Sequence, residues 1–206
     1  FYILNSKQNN LTMKKVLFYP GAFNPTHLGH VLIIKKALEN YSFDEVWIIP
    51  SGKREDKNIS ISLEDRLGLN TLFVNYLNRI LNVPCILRTD ELDDTKGKYT
   101  SEILENIKSE PNIDFTQLMG IDGYIFLRNQ IPADKFTKEK FLVANRNGYE
   151  LIKNADLDHN NLFMQVNSNE ISSTKIRSMA KSVDSEYQKL TTYEIANYIK
   201  EHNLYI

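Results

Sequence analysis

Two histidines three residues apart, His27 and His30, stand in the decapeptide GAFNPTHLGH (21–30), directly after an apolar run and where a helical pattern opens. Spaced i, i+3, they share one face of a helix's first turn. There the helix dipole is positive and the backbone N–H groups have no intrahelical partner. Two imidazoles in that place form a donor cluster for phosphate oxygens. Gly21 lets the backbone come close to a ligand, and Pro25 stiffens the turn. The same pair would also suit two surface histidines or two ligands of a metal. A zinc site needs at least a third ligand, and His159, His202 and Cys85 show no suggestive spacing to the pair.

A second constellation lies near the other end of the chain, ISSTKIRS (171–178): hydroxyls at the start of a helical pattern, then Lys175 and Arg177 within its first turns. Hydroxyls beside unpaired N–H donors, with a guanidinium in reach, can grip a polyphosphate. Read alone, Ser172 or Ser173 could equally be an N-cap satisfying the helix's own donors. Taken with the histidine motif, phosphate binding is the better account of both.

The elements that must position these residues alternate. KKVLFYP (14–20) is a short β-branched and aromatic run ending in a Pro-Gly turn, so it predicts a buried strand. Leu28, Val31, Leu32, Ile34 and Leu38 form a helical stripe to Asn40, and EVWIIP (45–50) predicts the next strand. A helix from Ser62 to about Arg79, a strand at VPCILRT (83–89), an acidic loop TDELDD (89–94) and a helix from Tyr99 to Lys108 follow. FTQLMG (115–120), KFLVANR (140–146) and NNLFMQVN (160–167) predict further strands, with a short helix between the first two. Ser173 to Lys181 and Thr191 to His202 close the chain as helices. Strands alternating with helices imply a parallel sheet covered on both faces. Ligands of such sheets sit at the carboxyl ends of the strands, which would bring 20–30, 50–57, 89–100 and 120–123 to one edge.

Composition bounds the function. The chain has 206 residues, 42% of them hydrophobic, with 25 basic and 26 acidic side chains and a formal net charge of −1. Such a length buries about 70% of the unfolded surface without cross-links. The single cysteine, Cys85, excludes a disulfide framework and fits a reducing, cytoplasmic setting. No basic surplus exists for nucleic acid, and no apolar run approaches the ~18 residues of a membrane span. Residues 1–12 are expected to be an N-terminal extension, weakly ordered or not native, before a single domain over 13–206. A homo-oligomer is compatible with all of this.

GAFNPTHLGH resembles the G-x-F-x-P-x-H-x-G-H signature of the nucleotidyltransferase superfamily, and ISSTKIR resembles the ISSTxIR motif of its bacterial nicotinate mononucleotide adenylyltransferases. Tyr99-Thr100, Gly120-Ile121-Asp122, FLVANRNGYEL (141–151) and the tail IANYIKEHNLY (195–205) are similar to pieces of the same branch. The resemblance implies a Rossmann-like α/β fold with a small C-terminal helical part. It also implies a reaction: transfer of AMP from ATP to nicotinate or nicotinamide mononucleotide, making the dinucleotide of NAD biosynthesis and releasing pyrophosphate. His27, His30 and Arg177 would be catalytic. ATP would be held by Gly21, Ala22, Phe23, His27, His30, Gly120, Asp122, Ser172, Ser173, Thr174 and Arg177. The mononucleotide would meet Phe23, Asn24, Lys57, Tyr99, Thr100 and Tyr124. Mg2+ would be held mainly by the ATP phosphates, with no protein metal site.

The chain departs from the family pattern twice. GKREDK (52–57) lacks the prolines and histidine of the family's Pro-Pro-His-Lys-like loop, though Lys57 falls near its basic end. No tryptophan follows Asp122 to stack on a pyridine ring; Tyr124 or Phe126 would supply that face, or belong to the core, and the only tryptophan is Trp47 on the second strand. Two rivals stand beside the main reading. One is transfer to another phosphorylated acceptor such as phosphopantetheine, or use of CTP, against which ISSTKIR and GYEL weigh. The other is a nucleotide-binding module that has lost turnover.

Overall fold

The computed structural model describes residues 13–52, 61–90, 92, 109–145, 155–167, 171–182 and 184–206. The expected extension at 1–12 and helix at 99–108 lie outside the described residues. Strands β1 (Lys14–Gly21), β2 (Glu45–Pro50), β3 (Cys85–Leu87), β4 (Ile113–Gly120), β5 (Phe141–Asn145) and β6 (Leu162–Gln165) alternate with helices α1 (Leu28–Asn40), α2 (Leu63–Ile80), α3 (Ile121–Gln130), α4 (Ala133–Phe136), α5 (Ala155–Asp158), α6 (Ser173–Lys181) and α7 (Tyr193–Glu201). A 3-10 turn, Ser185–Leu190, joins the last two helices. The strands form one sheet in the order β3-β2-β1-β4-β5-β6 with every neighbour parallel. This is the Rossmann-like architecture that the motifs implied.

The near-continuous apolar strands are explained by burial of both faces. Leu17 and Tyr19 of β1, Val46 and Ile48 of β2, Leu118 of β4, and Leu142 and Ala144 of β5 point into the main core, with α1, α2 and α7. The alternate residues point the other way. Val16, Phe18, Trp47 and Ile49 form one cluster there, and Met119, Ile121, Tyr124, Phe136, Phe141 and Val143 another. On α1 the stripe differs by one position: Leu32 is exposed and Ile33 is buried in its place. The third strand is shorter than the apolar run around it, because Pro84 has no N–H to give to a ladder. Among the described residues no helix is long and apolar enough to cross a membrane.

Tyr124 is not a surface for a ligand ring. It is 1% exposed, on the inner side of α3, edge-on to Phe136, Phe141 and Phe163. Its hydroxyl donates to the buried Asp158 carboxylate and accepts from Asn161 Nδ2 at 3.1 Å, while Arg128 reaches Asp158 at 3.4 Å. Burial, and then the Asp158 carboxylate, raise this phenol far above its ordinary range. Its ring fills the space between α3 and those phenylalanines, and its polar tip is satisfied inside. Phe126, two residues on, is 61% exposed on the same helix.

Replacing the hydroxyl alone, Tyr124→Phe, removes a partner from a buried carboxylate and is expected to cost about 1–3 kcal/mol. Denaturant unfolding measures it, with the midpoint falling and the slope unchanged; an unmoved midpoint would contradict this account of the network.

Candidate functional site

Chain order reverses at β1, with β2 on one side and β4 on the other, so a crevice opens above the carboxyl ends of β1 and β4. Gly21 and Gly120 end those strands. Among the described residues nothing lies within 4 Å of the point where a Cβ on Gly120 would stand, so the floor there is open. Asp122 is exposed just beyond, in the first turn of α3.

The loop from β1 to α1 is held from behind by its carbonyls. The Gly21 oxygen accepts from Ser51 N–H at 2.8 Å and the Ala22 oxygen from Arg66 Nη2 at 3.1 Å. Three consecutive oxygens then accept from the far end of the chain: Asn24 from Arg177 Nη1 (2.7 Å), Pro25 from Ser173 Oγ (2.8 Å), and Thr26 from Thr191 Oγ1 (2.9 Å). A planar trans peptide points its N–H opposite to its C=O. The bonds to Gly21 and Ala22 therefore turn the N–H groups of Ala22 and Phe23 away from those donors. Phe23 stands at φ 42°, and its ring folds back over Gly21, where any Cβ would meet it at 2.9 Å. Any larger residue at position 21 would have to displace that ring.

His27 caps α1 in extended conformation, and His30 sits at the third helical position. Their rings stack at 3.7 Å and 26° between planes. The His27 backbone N–H donates to His30 Nδ1 at 3.1 Å. An imidazole accepting at Nδ1 carries its proton on Nε2 when neutral, so this bond makes the outer nitrogen of His30 a donor. The Tyr19, Phe23 and Phe73 rings at 6.0, 5.1 and 6.3 Å wall the His30 ring. Gly29 makes the stack possible, since a Cβ there would stand 2.9 Å from the His27 ring and 3.6 Å from the Ile171 carbonyl oxygen.

That second distance brings the start of α6 against the start of α1. The Ser172 hydroxyl accepts from Lys175 N–H at 3.2 Å, so it is the N-cap of α6. Ser173 Oγ spends its proton on Pro25. Thr174 Oγ1 accepts from Arg177 Nη2 at 3.2 Å, leaving its own proton to donate. The two bonds from Arg177 take two of the five N–H groups of its guanidinium. Beside it a cleft of about 770 Å³ opens toward Ser62, Asp65, Lys181 and Tyr205. The Asp65 carboxyl on its rim is held below its ordinary range, first by the Ser62 hydroxyl and further by His202 and Tyr198, against the opposing effect of burial.

The helix starts carry a further signal. Among the described residues α1 and α6 have no acidic side chain in their first turn, whereas every other helix and the 3-10 turn has at least one. A carboxylate is the ordinary partner of a helix's positive end. The two helix starts that meet at the crevice lack one, which leaves both available to an anion from outside.

The structure therefore brings together His27, His30, Gly21, Ala22, Phe23, Ser172, Ser173, Thr174 and Arg177. It corrects the roles of several side chains. The Phe23 ring is 2% exposed, so what it can offer a mononucleotide is backbone, and Asn24 is 4% exposed with its Oδ1 taken by Tyr205. The Ser173 hydroxyl donates to the Pro25 carbonyl as part of the clasp, and the Ser172 hydroxyl accepts as the cap of α6 while keeping its own proton to donate. Lys57, Tyr99 and Thr100 lie outside the described residues. Arg66, Thr191 and Tyr205 were not singled out from sequence. Arg66 had a signal, a charge on the buried α2 stripe with Leu69, Asn70 and Phe73. Tyr205 had none. Among the described residues no group of three or more His, Cys, Asp or Glu side chains is placed to hold a metal ion.

The cytidylyltransferase-like family model matches residues 18–179. A probable nicotinate-nucleotide adenylyltransferase of Shouchella clausii is 30% identical over 201 residues, covering 94% of this chain and 97% of the relative. That of Clostridium acetobutylicum is 28% identical over 207 residues, covering 94% and 100%. Among solved structures, Plasmodium falciparum nicotinic acid mononucleotide adenylyltransferase complexed with NaAD superimposes with a TM-score of 0.75 at 20% identity, over 93% of this chain and 97% of that one.

Gly29→Ala should raise helix propensity by about 0.5–1 kcal/mol in an ordinary helix. Here the added methyl pushes into the His27 ring and breaks the stack. The expected result is weaker Mg-ATP binding by calorimetry in a protein that stays folded; unchanged affinity would show that the stack does not shape the site.

Proposed function

The chain belongs to the cytidylyltransferase-like family, and we propose that it is a nicotinate-nucleotide adenylyltransferase, joining the AMP part of ATP to nicotinate mononucleotide and releasing pyrophosphate. The observation that carries this reading is the meeting of two acid-free helix starts at the carboxyl end of β1, with the His30 Nε2 donor on one and Arg177 on the other. The end-to-end likeness to nicotinate-nucleotide adenylyltransferases supports the acceptor.

In this reading a 5′-phosphate oxygen of the mononucleotide attacks the α-phosphorus of ATP in line. The new O–P bond forms as the bond to the β-phosphate oxygen breaks, and pyrophosphate leaves with the electron pair. No side chain is required as a nucleophile. The work is positioning and stabilisation of charge. His30 donates from Nε2 to phosphate oxygens where charge develops, held in that tautomer by the His27 amide. The N–H groups of Ala22 and Phe23 and the starts of α1 and α6 supply fixed dipoles, and Arg177 with Thr174 grips the departing phosphates. Gly120 and Asp122 would meet the ribose of ATP, a role supported by the open floor at Gly120 and the exposed carboxylate just beyond it. Lys57, Tyr99 and Thr100 would contact the mononucleotide. Magnesium would enter with ATP as part of the substrate and would offset the charge of its phosphates.

A cytoplasmic setting belongs to the same reading and agrees with the lone Cys85, buried, with its thiol pushed up to about 11 by burial. That value leaves it protonated and inert.

Pyrophosphate release from Mg-ATP with nicotinate mononucleotide, nicotinamide mononucleotide and phosphopantetheine in parallel tests the reaction. Release with nicotinate mononucleotide is expected, and its ratio to the nicotinamide form reports what replaces the missing tryptophan. Silence with both pyridine nucleotides would sink the reading. His30→Ala should then cost on the order of 3 kcal/mol in kcat, roughly a hundredfold or more, with the fold intact by circular dichroism.

A further inference from the structure

Tyr205 belongs to neither phosphate motif, yet it is built into the site. The chain leaves α7 through a left-handed turn: Asn203 stands at φ 50°, its N–H on the Lys200 oxygen at 3.3 Å, and the Leu204 N–H returns to the Ile199 oxygen at 2.9 Å. These paired bonds are a Schellman ending. Leu204 then drops into the main core, and Tyr205 follows at φ 67°. Asparagine visits that region readily. A tyrosine there is strained and persists only where its surroundings fix it.

What fixes it is the loop after β1. The Tyr205 hydroxyl donates to Asn24 Oδ1 at 2.6 Å, and the backbone oxygen of the same asparagine accepts Arg177 Nη1 at 2.7 Å. Burial raises the hydroxyl far above the ordinary phenol range, outweighing the opposing pull of nearby Arg177 and Arg66, so it remains a donor at neutral pH. On its own helix Arg177 has only the Thr174 hydroxyl as anchor, and one anchor leaves a guanidinium free to swing. The Asn24 carbonyl is the second anchor, and Asn24 is held by Tyr205.

We propose that Tyr205 is a positioning residue for the phosphate grip: its hydroxyl fixes Asn24, and Asn24 fixes the guanidinium of Arg177 at the mouth of the cleft. The strained backbone at the end of the chain is then the means by which the closing helix sets the geometry of the first loop. The inference rests on the adenylyltransferase reading of the site.

A double-mutant cycle tests it: wild type, Tyr205→Phe, Arg177→Lys and the double variant, each assayed well below its own melting temperature, so that lost stability alone leaves kcat/KM unmoved. Tyr205→Phe keeps the ring and removes the donor. In the wild-type background it should lower kcat/KM for ATP about tenfold with the KM for the mononucleotide unchanged, and in the Arg177→Lys background by less than about twofold, because coupled residues do not add. Equal losses in the two backgrounds, or a Tyr205→Phe enzyme with wild-type kcat/KM, would overturn the proposal. If the wild-type protein releases no pyrophosphate with any acceptor, the functional reading has failed on its own. The cycle is then read on the ATP dissociation constant by calorimetry, with the same criteria.

Discussion

Three consecutive carbonyls, those of Asn24, Pro25 and Thr26, accept hydrogen bonds from side chains 153, 148 and 165 residues further along the chain. The rest of the site depends on this clasp. A loop between a strand and a helix has no ladder to hold it, and its backbone must be satisfied by something. Here the donors are Arg177, Ser173 and Thr191, so the loop that begins α1 takes its shape from α6 and the turn after it. The two sequence motifs are one object. Neither can hold its geometry until the chain has closed on itself, and the positions of His27 and His30 follow from that closure.

The clasp also sets the electrostatics. It brings the positive ends of α1 and α6 together where neither has an acidic residue of its own. Two helix starts facing each other repel modestly, and the first N–H groups of any helix lack a partner one turn back along it. An incoming polyphosphate relieves both costs at once, so the free protein is built in the arrangement its ligand favours. Under the proposed reaction, such preorganisation would be the physical basis for catalysis without a covalent intermediate. The Nδ1 of His30, held by the His27 amide, extends it to a proton position. A rotated or re-tautomerised imidazole would present a lone pair to an anion instead of a donor.

Much of this was legible in the sequence, and the reasons differ residue by residue. The strands could be read because a parallel sheet buried on both faces forces apolar residues at successive positions, as Val16 to Tyr19 and Val46 to Ile49 show. GAFNPTHLGH and ISSTKIR were legible because glycines and hydroxyls at fixed places beside histidines and an arginine are hard to explain by packing alone. Tyr124 misled because an aromatic after a nucleotide-binding turn suits a stacking face and a core equally. Only the sheet register, which sets Phe141 and Phe163 against it, decides. Leu32 and Ile33 exchanged places because a helix of mixed apolar residues leaves its rotation to tertiary packing. The carbonyl clasp and Tyr205 could not be read at all, since hydrogen bonds to backbone oxygens leave no pattern of residue types, and a contact spanning 181 positions has no local period.

The measurement that tests the account most directly is a crystal structure of the protein with magnesium and a nonhydrolysable ATP analogue. The account predicts one triphosphate lying between the starts of α1 and α6, with His30 Nε2 within hydrogen-bond reach of a phosphate oxygen at one end, the Arg177 guanidinium at the other, and the three carbonyl bonds of the loop intact. A triphosphate touching only one of the two helix starts, or a loop whose carbonyls have let go of Arg177, Ser173 and Thr191, would contradict it.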